Sequence, residues 1–200
     1  MAKSILDTFT SNARSAGLSA KFSKASISWF NKNIKKAAQI KSNQKKMLKD
    51  PELTQATEVK IGKMYLYRYD PKTKKDLPYY DTLPLIIPIE QTATGFLALN
   101  FHYLPPILRA QLLSKLMDVS NNKKFNKSTR LKVTYDLLRG ARRFKAFEPC
   151  IKQYLLTHIK SKVLEVPPAH WESAIWLPFD NFVGAGRMKV WNDSKKSIGK

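Results

Sequence analysis

The basic residues of this chain are gathered into two blocks on either side of a nearly neutral stretch, and that segregation restricts how it can fold. Residues 1–50 carry 11 Lys and Arg against 2 acids, a net +9, and residues 121–162 carry 12 against 2, a net +10. Between them, residues 51–120 are close to balance at +1; residues 163–186 hold 3 acids and no base, and the tail 187–200 returns to +4. Burying a charge without a partner is costly, so extensive burial belongs to the aromatic, proline-bearing middle, with the basic blocks on its surface. With 43% hydrophobic residues, 4 Trp, 8 Tyr and 10 Phe, the 200-residue chain has material for a packed core and is not a disordered basic tail.

A net charge of +21 repels itself unless a polyanion offsets it. Any single lysine run reads as a solvated helix face; the excess over the whole chain points to nucleic acid. An anionic membrane surface and an acidic protein are the competing partners. No stretch approaches the roughly 18 apolar residues of a membrane span, and the apolar face of the N-terminal region is too rich in Ala and Ser to suit a bilayer surface. The N-terminal residues show no long apolar run of the secretory kind. The one cysteine, Cys150, has no internal partner for a disulfide, which fits a reducing compartment.

Residues 1–50 are predicted to form a basic helical arm: Ile5, Phe9 and Ala13 step by four, and Ile27, Phe30, Ile34 and Ala38 by three and four. Its apolar stripe is narrow, so it needs a partner to bury it or stays mobile. Pro51 opens a linker over 51–61. The core domain, 62–186, is predicted to contain strands near 63–69, 84–90, 96–103 and 162–166. Tyr65, Tyr67 and Tyr69 share one face by the period of two. Pro84 and Pro88 make the second strand an edge strand or a bulged one. Helices are predicted over 106–118, opened by Pro105-Pro106; over 129–139, stopped by Gly140; and over 149–160, where Ile151, Tyr154, Leu155, His158 and Ile159 follow helical spacing. His170 to Trp176 forms a short aromatic helix. Residues 187–200 are a basic tail. The fold class is α+β: a small antiparallel sheet or partial SH3-like barrel packed with three to four helices, preceded by the arm.

Chemistry-bearing motifs are sparse. His102, His158 and His170 lack metal spacing. There is no phosphate-binding glycine loop and no nucleophile elbow, and Gly184-Ala185-Gly186 reads as a flexible joint. Asp70, Asp76 and Asp81 around a lysine-rich turn, with Glu58 and Lys60, leave a metal-dependent nuclease as a minor alternative, although Asp beside turns is common for backbone reasons. No metal or cofactor is called for.

The nucleic-acid signal is compositional. Arg139, Arg142, Arg143 and Lys145 cluster at a predicted helix junction, with Lys123, Lys124, Lys127 and Arg130 upstream, and Lys35, Lys36, Lys45 and Lys46 in the arm. These are the expected phosphate contacts. Tyr79 and Tyr80, beside Pro78 in a predicted loop, are the expected base-stacking residues.

Several strings are distinctive: Gly62-Lys63-Met64-Tyr65-Leu66-Tyr67-Arg68-Tyr69-Asp70-Pro71-Lys72, Leu77-Pro78-Tyr79-Tyr80-Asp81 with Leu83-Pro84-Leu85, and Gly95-Phe96-Leu97-Ala98-Leu99-Asn100-Phe101-His102-Tyr103-Leu104. With Phe147-Glu148-Pro149-Cys150 and Val190-Trp191-Asn192-Asp193-Ser194, they resemble the DNA end protector proteins of T-even-like contractile-tailed phages over roughly residues 27–196. The resemblance implies a non-enzymatic virion protein near the portal. Such a protein binds duplex DNA ends without sequence specificity and shields them from host exonuclease in the cytoplasm after injection. It also leaves open a structural subunit of the neck or baseplate whose basic arm contacts neighbouring virion proteins. No catalytic residue is carried over.

Overall fold

Alternating apolar residues in the middle of the chain build an antiparallel sheet of six strands. The computed structural model describes residues 4–18, 23–37, 46–120 and 145–198. The strands of the main sheet are β1 (Thr54–Gln55), β2 (Met64–Leu66), β4 (Leu85–Thr92), β5 (Gly95–Asn100), β6 (Ile151–Leu155) and β7 (Leu164–Val166). Their order is β1-β7-β2-β4-β5-β6, every pair antiparallel. A second sheet pairs β3 (Tyr80–Asp81) with β8 (Phe182–Val183). The helices are α1 (Ile5–Ser15), α2 (Lys24–Ala37), α3 (Pro106–Ser120), α4 (Trp171–Trp176) and α5 (Arg187–Ile198). The α+β class is as predicted. Among the described residues the sheet is open, ending at β1 and β6, and no barrel closes.

The sheet separates two hydrophobic clusters, as the period of two requires. Met64, Leu66, Leu85, Ile87 and Leu99 share one cluster with the helices, and Tyr65, Tyr67, Tyr69, Ile86, Phe96, Ala98 and Tyr154 form the other. The three tyrosines are therefore one packed face. Tyr67 and Tyr154 meet edge to face at 5.8 Å, and Tyr69 and Tyr154 at 4.9 Å.

Three local expectations are corrected, and a fourth resolves between its two alternatives. Of the two alternatives for the proline-bearing strand, the bulged one holds and the edge one does not: β4 lies between β2 and β5 and absorbs Pro88 in a bulge, where the register slips between Pro88 and Glu90. The strand predicted over 96–103 stops at Asn100, whose side chain accepts from the His102 N–H and opens a 3-10 turn over Phe101–Tyr103. Residues 54–55, read as linker, pair with β7 as the outermost strand. The largest correction concerns 149–160. It is not a helix: Lys145–Cys150 is a 3-10 segment, Ile151–Leu155 is β6, and Leu156–His158 is a 3-10 turn. Pairing of the whole of β6 with residues 95–99 of β5 overrides the helical spacing. Gly95 makes that pairing possible, because a Cβ there would lie 1.9 Å from the Tyr154 carbonyl oxygen. The helix predicted over 129–139 lies outside the described residues.

The N-terminal helices find their partner within the chain. Leu6, Phe9, Phe30 and Met47 belong to the same cluster as the sheet, and the Phe30 ring stacks on Trp176 of α4 at 5.1 Å, nearly parallel. Asp50 caps α1 from a distance: its carboxylate accepts from the Ser4 hydroxyl (2.7 Å) and the Ile5 N–H (2.8 Å). Thr10 Oγ1 lies 3.1 Å from His170 Nδ1 and 2.7 Å from Ser173 Oγ, and His170 Nε2 lies 3.1 Å from Glu52 Oε2. This polar chain joins the arm, the segment after Pro51 and α4. In the tail, α5 buries Val190 and Ser194, and the Ser194 hydroxyl donates to the Tyr103 carbonyl at 2.8 Å.

Candidate nucleic-acid interface

The β3–β8 ribbon presents Tyr79 and Tyr80 beside the tyrosine face of the main sheet. Tyr80 pairs with Val183 and Asp81 with Phe182. Gly184 follows at φ +86°, and a Cβ there would approach the Pro78 carbonyl oxygen to 2.6 Å, so only glycine permits this close crossing. Gly184 is thus a packing requirement, not the flexible joint expected of the Gly-Ala-Gly string.

Asp81 anchors the ribbon. One carboxylate oxygen accepts from the Leu83 N–H (3.0 Å) and the Asn181 N–H (3.2 Å). The other accepts from Asn100 Nδ2 (3.1 Å) and lies 2.7 Å from His102 Nδ1. Asn100 Nδ2 also donates to the Tyr154 hydroxyl at 3.0 Å. Burial works against the Asp81 carboxylate, but the His102 ring and the converging donors outweigh it and hold its pKa below the ordinary value.

Between ribbon, β6 and the 70–78 loop lies an open cleft of about 330 Å³. Tyr69, Tyr79, Tyr80, Tyr103 and Tyr154 line it, with Leu77, Lys72 and Lys152. Tyr79 is half-buried and braced, tilted against Tyr103 at 6.1 Å and edge-on to Phe182 at 6.5 Å. Tyr80 is half-buried and Leu77 exposed. Burial raises the pKa of the Tyr69, Tyr79, Tyr103 and Tyr154 hydroxyls, so they remain protonated at neutral pH. Lys152 reaches from β6 over the Tyr103 ring, its Nζ 4.3 Å from the centroid. Burial lowers its pKa, and it also lines an adjoining pocket with Glu148 and Asp193. The rim loop adds Lys72 and Lys75, both exposed, and Lys74, which pairs with Asp70 at 2.9 Å. The cleft therefore offers aromatic surface, neutral hydroxyls and one half-buried cation.

Of the residues expected at phosphates, Lys45, Lys123, Lys124, Lys127, Arg130, Arg139, Arg142 and Arg143 lie outside the described residues. Lys35 and Lys36 fall in α2 and Lys145 in a 3-10 segment, with their side chains outside the described set; Lys46 is exposed. Tyr79 and Tyr80 line the same cleft.

Sequence reasoning missed Lys72 and Lys152. The alternation of Lys152 and Tyr154 could have revealed Lys152, had 151–155 been read as a strand. It also missed Arg109, which is fully buried and donates to three carbonyls: Leu104 (2.7 Å), Ile175 (3.0 Å) and His102 (3.2 Å).

Three of the carboxylates considered for metal chemistry have partners of their own. Asp70 pairs with Lys74, Asp81 is enclosed with His102, and Glu58 lies 3.6 Å from Lys60. Among the described residues no three His, Cys, Asp or Glu side chains are placed to hold a metal ion. His158 is not on a helix face; its Nδ1 lies 2.8 Å from the Asp70 carbonyl oxygen. Cys150 is buried, and burial pushes its thiol up to about 12. No helix among the described residues is long and apolar enough to cross a membrane.

No curated protein and no solved structure matches this chain. A family model does, over residues 3–195, and it describes the phage T4 terminal DNA protecting protein. A match of that extent shows that the chain belongs to the family of the phage T4 terminal DNA protecting protein.

Proposed function

We propose that this protein binds the ends of duplex DNA without sequence specificity and shields them from exonuclease by occupying them, with no reaction catalysed. It travels in the virion with the packaged genome and acts in the host cytoplasm after injection, alongside other virion proteins at the portal or neck. The observation that carries this reading is the cleft itself: Tyr79 and Tyr80 stand on its wall with Lys72 and Lys152 around it. Phosphate charge alone cannot favour an end, because terminal and internal phosphates look alike to a lysine. Exposed base faces occur only at ends, and aromatic rings recognise them through stacking. Lys35, Lys36, Lys45, Lys46, Lys123, Lys124, Lys127, Arg130, Arg139, Arg142, Arg143 and Lys145 supply the sequence-independent phosphate contacts of this proposal.

The test is digestion of linear duplex by a processive exonuclease at saturating protein, with covalently closed circular DNA as binding competitor. Linear ends are expected to survive, and circular DNA to compete poorly. Equal affinity for both forms, with no protection of ends, overturns the proposal. With roughly 6–10 phosphate contacts, affinity is expected to fall about 10³–10⁵-fold between about 50 and 200 mM salt.

A further inference from the structure

We infer that the cleft beside Tyr80 receives a single unpaired nucleotide at the DNA terminus, its base against the tyrosine wall and its phosphate on Lys152. This deepens the end-binding proposal and rests on it. Size is the first argument. At about 330 Å³ the cleft is at the small end of ligand sites, which run from roughly 300 to 1,000 Å³. It holds one base with part of its sugar and phosphate and is far too small for a base pair with both strands. Whatever enters must already have left the duplex.

Chemistry is the second argument. The wall is aromatic, which suits the π-face of any base and selects none of them, as a sequence-independent binder needs. An apolar guest would have no use for the cation at the cleft. Lys152 Nζ is held 4.3 Å above the Tyr103 ring, with Glu148 and Asp193 in the adjoining pocket, and on the cleft side an arriving phosphate gives it a direct ionic partner. Lys72 lines the same cleft from the 70–78 loop and is a second cation available to the continuing backbone. The guest that fits both halves is a nucleotide, not a free base and not an acidic side chain.

Energetics then confine the nucleotide to an end. Taking an internal nucleotide out of the stack breaks its pairing and both stacking contacts, a cost of a few kcal/mol that falls for a base already unpaired. A terminal base has one stacking neighbour and frays. The wall is preformed: Asp81 and Tyr154, which line it, are joined through Asn100 by hydrogen bonds, and Gly184 fixes the chain crossing at Pro78. Little ordering cost therefore offsets binding.

The test compares the full-length protein on four probes of equal length and charge: a blunt duplex, a duplex with one unpaired nucleotide at the 5′ end, the same at the 3′ end, and a duplex whose ends are closed by hairpin loops. One of the overhang probes is expected to bind about tenfold or more tighter than the closed probe. Tyr80→Ala and, separately, Lys152→Met are expected to lower overhang affinity by a larger factor than closed-end affinity, with folding checked by thermal melts. Equal affinity of the wild-type protein for all four probes overturns the inference without any variant. If linear DNA is still protected from exonuclease in that case, end binding stands and only the cleft assignment falls; if protection is absent too, both fall. A free deoxynucleoside monophosphate binding as tightly as the overhang probe also overturns it, by making the ligand a free nucleotide and not a DNA terminus.

Discussion

His102 Nδ1 lies 2.7 Å from Asp81 Oδ2 with neither side chain open to solvent, so the ribbon carrying Tyr79 and Tyr80 is tied to the sheet through a buried ionisable group. Asp81→Ala strands the four donors that converge on the carboxylate, and the expected loss is about 3–5 kcal/mol. The pH dependence follows from the depressed pKa of Asp81. Its contribution is complete above the unfolded carboxyl's value of about 3.9 and is lost as pH falls through the lower folded value. Urea midpoints of wild type and Asp81→Asn, measured from pH 7 downward, are expected to converge only below that range. Convergence already at neutral pH shows the carboxylate contributes nothing.

Arg109 is a second buried charge, and its three carbonyl partners join two parts of the chain, His102 and Leu104 in one and Ile175 in the other. Arg109→Lys keeps the charge but cannot hold three divergent carbonyls with a planar fork. Both Arg109→Lys and Arg109→Met are expected to lose about 2 kcal/mol or more in chemical denaturation. Full stability of the Lys variant contradicts this.

The N-terminal helices are expected to stabilise the sheet. Phe30 is 4% exposed and stacked on Trp176. Phe30→Ala is expected to cost about 3–5 kcal/mol, and Asp50→Ala about 1 kcal/mol through the lost cap. A chain starting at residue 51 is expected to melt at a lower temperature than the full protein. An unchanged midpoint in calorimetry makes residues 1–50 a separable arm.

Gly184→Ala places a methyl 2.6 Å from the Pro78 carbonyl oxygen and forces a side chain into φ +86°. The Tyr79–Tyr80 wall has to shift to admit it. The expected outcome is weaker protection of linear ends with a melting temperature lowered by several degrees, roughly 1–3 kcal/mol. Gly186→Ala, where a Cβ meets nothing within 4 Å, is the control expected to leave both unchanged.

Several features were legible in the chain itself. Alternation alone put Tyr65, Tyr67 and Tyr69 on one face and marked the strand from Gly95, because period two is a local property of extended backbone. Pro106 opened a helix, and the charge blocks pointed to a polyanion. Other features needed the fold. Residues 151–159 have helical spacing, yet Gly95 opens a place beside β5 that a strand fills. Pro84 and Pro88 marked an edge or a bulged strand, and only the pairing on both sides of β4 decided for the bulge. Asp50 on the N-terminus of α1, and His102 on Asp81, are partners whose separation in sequence carries no pattern. The cleft is of the same kind: its walls come from residues 69–81, Tyr103 and 152–155. Periodicity reports which side of an element is buried once the element is known; tertiary pairing decides which element forms and which side chains then share a site.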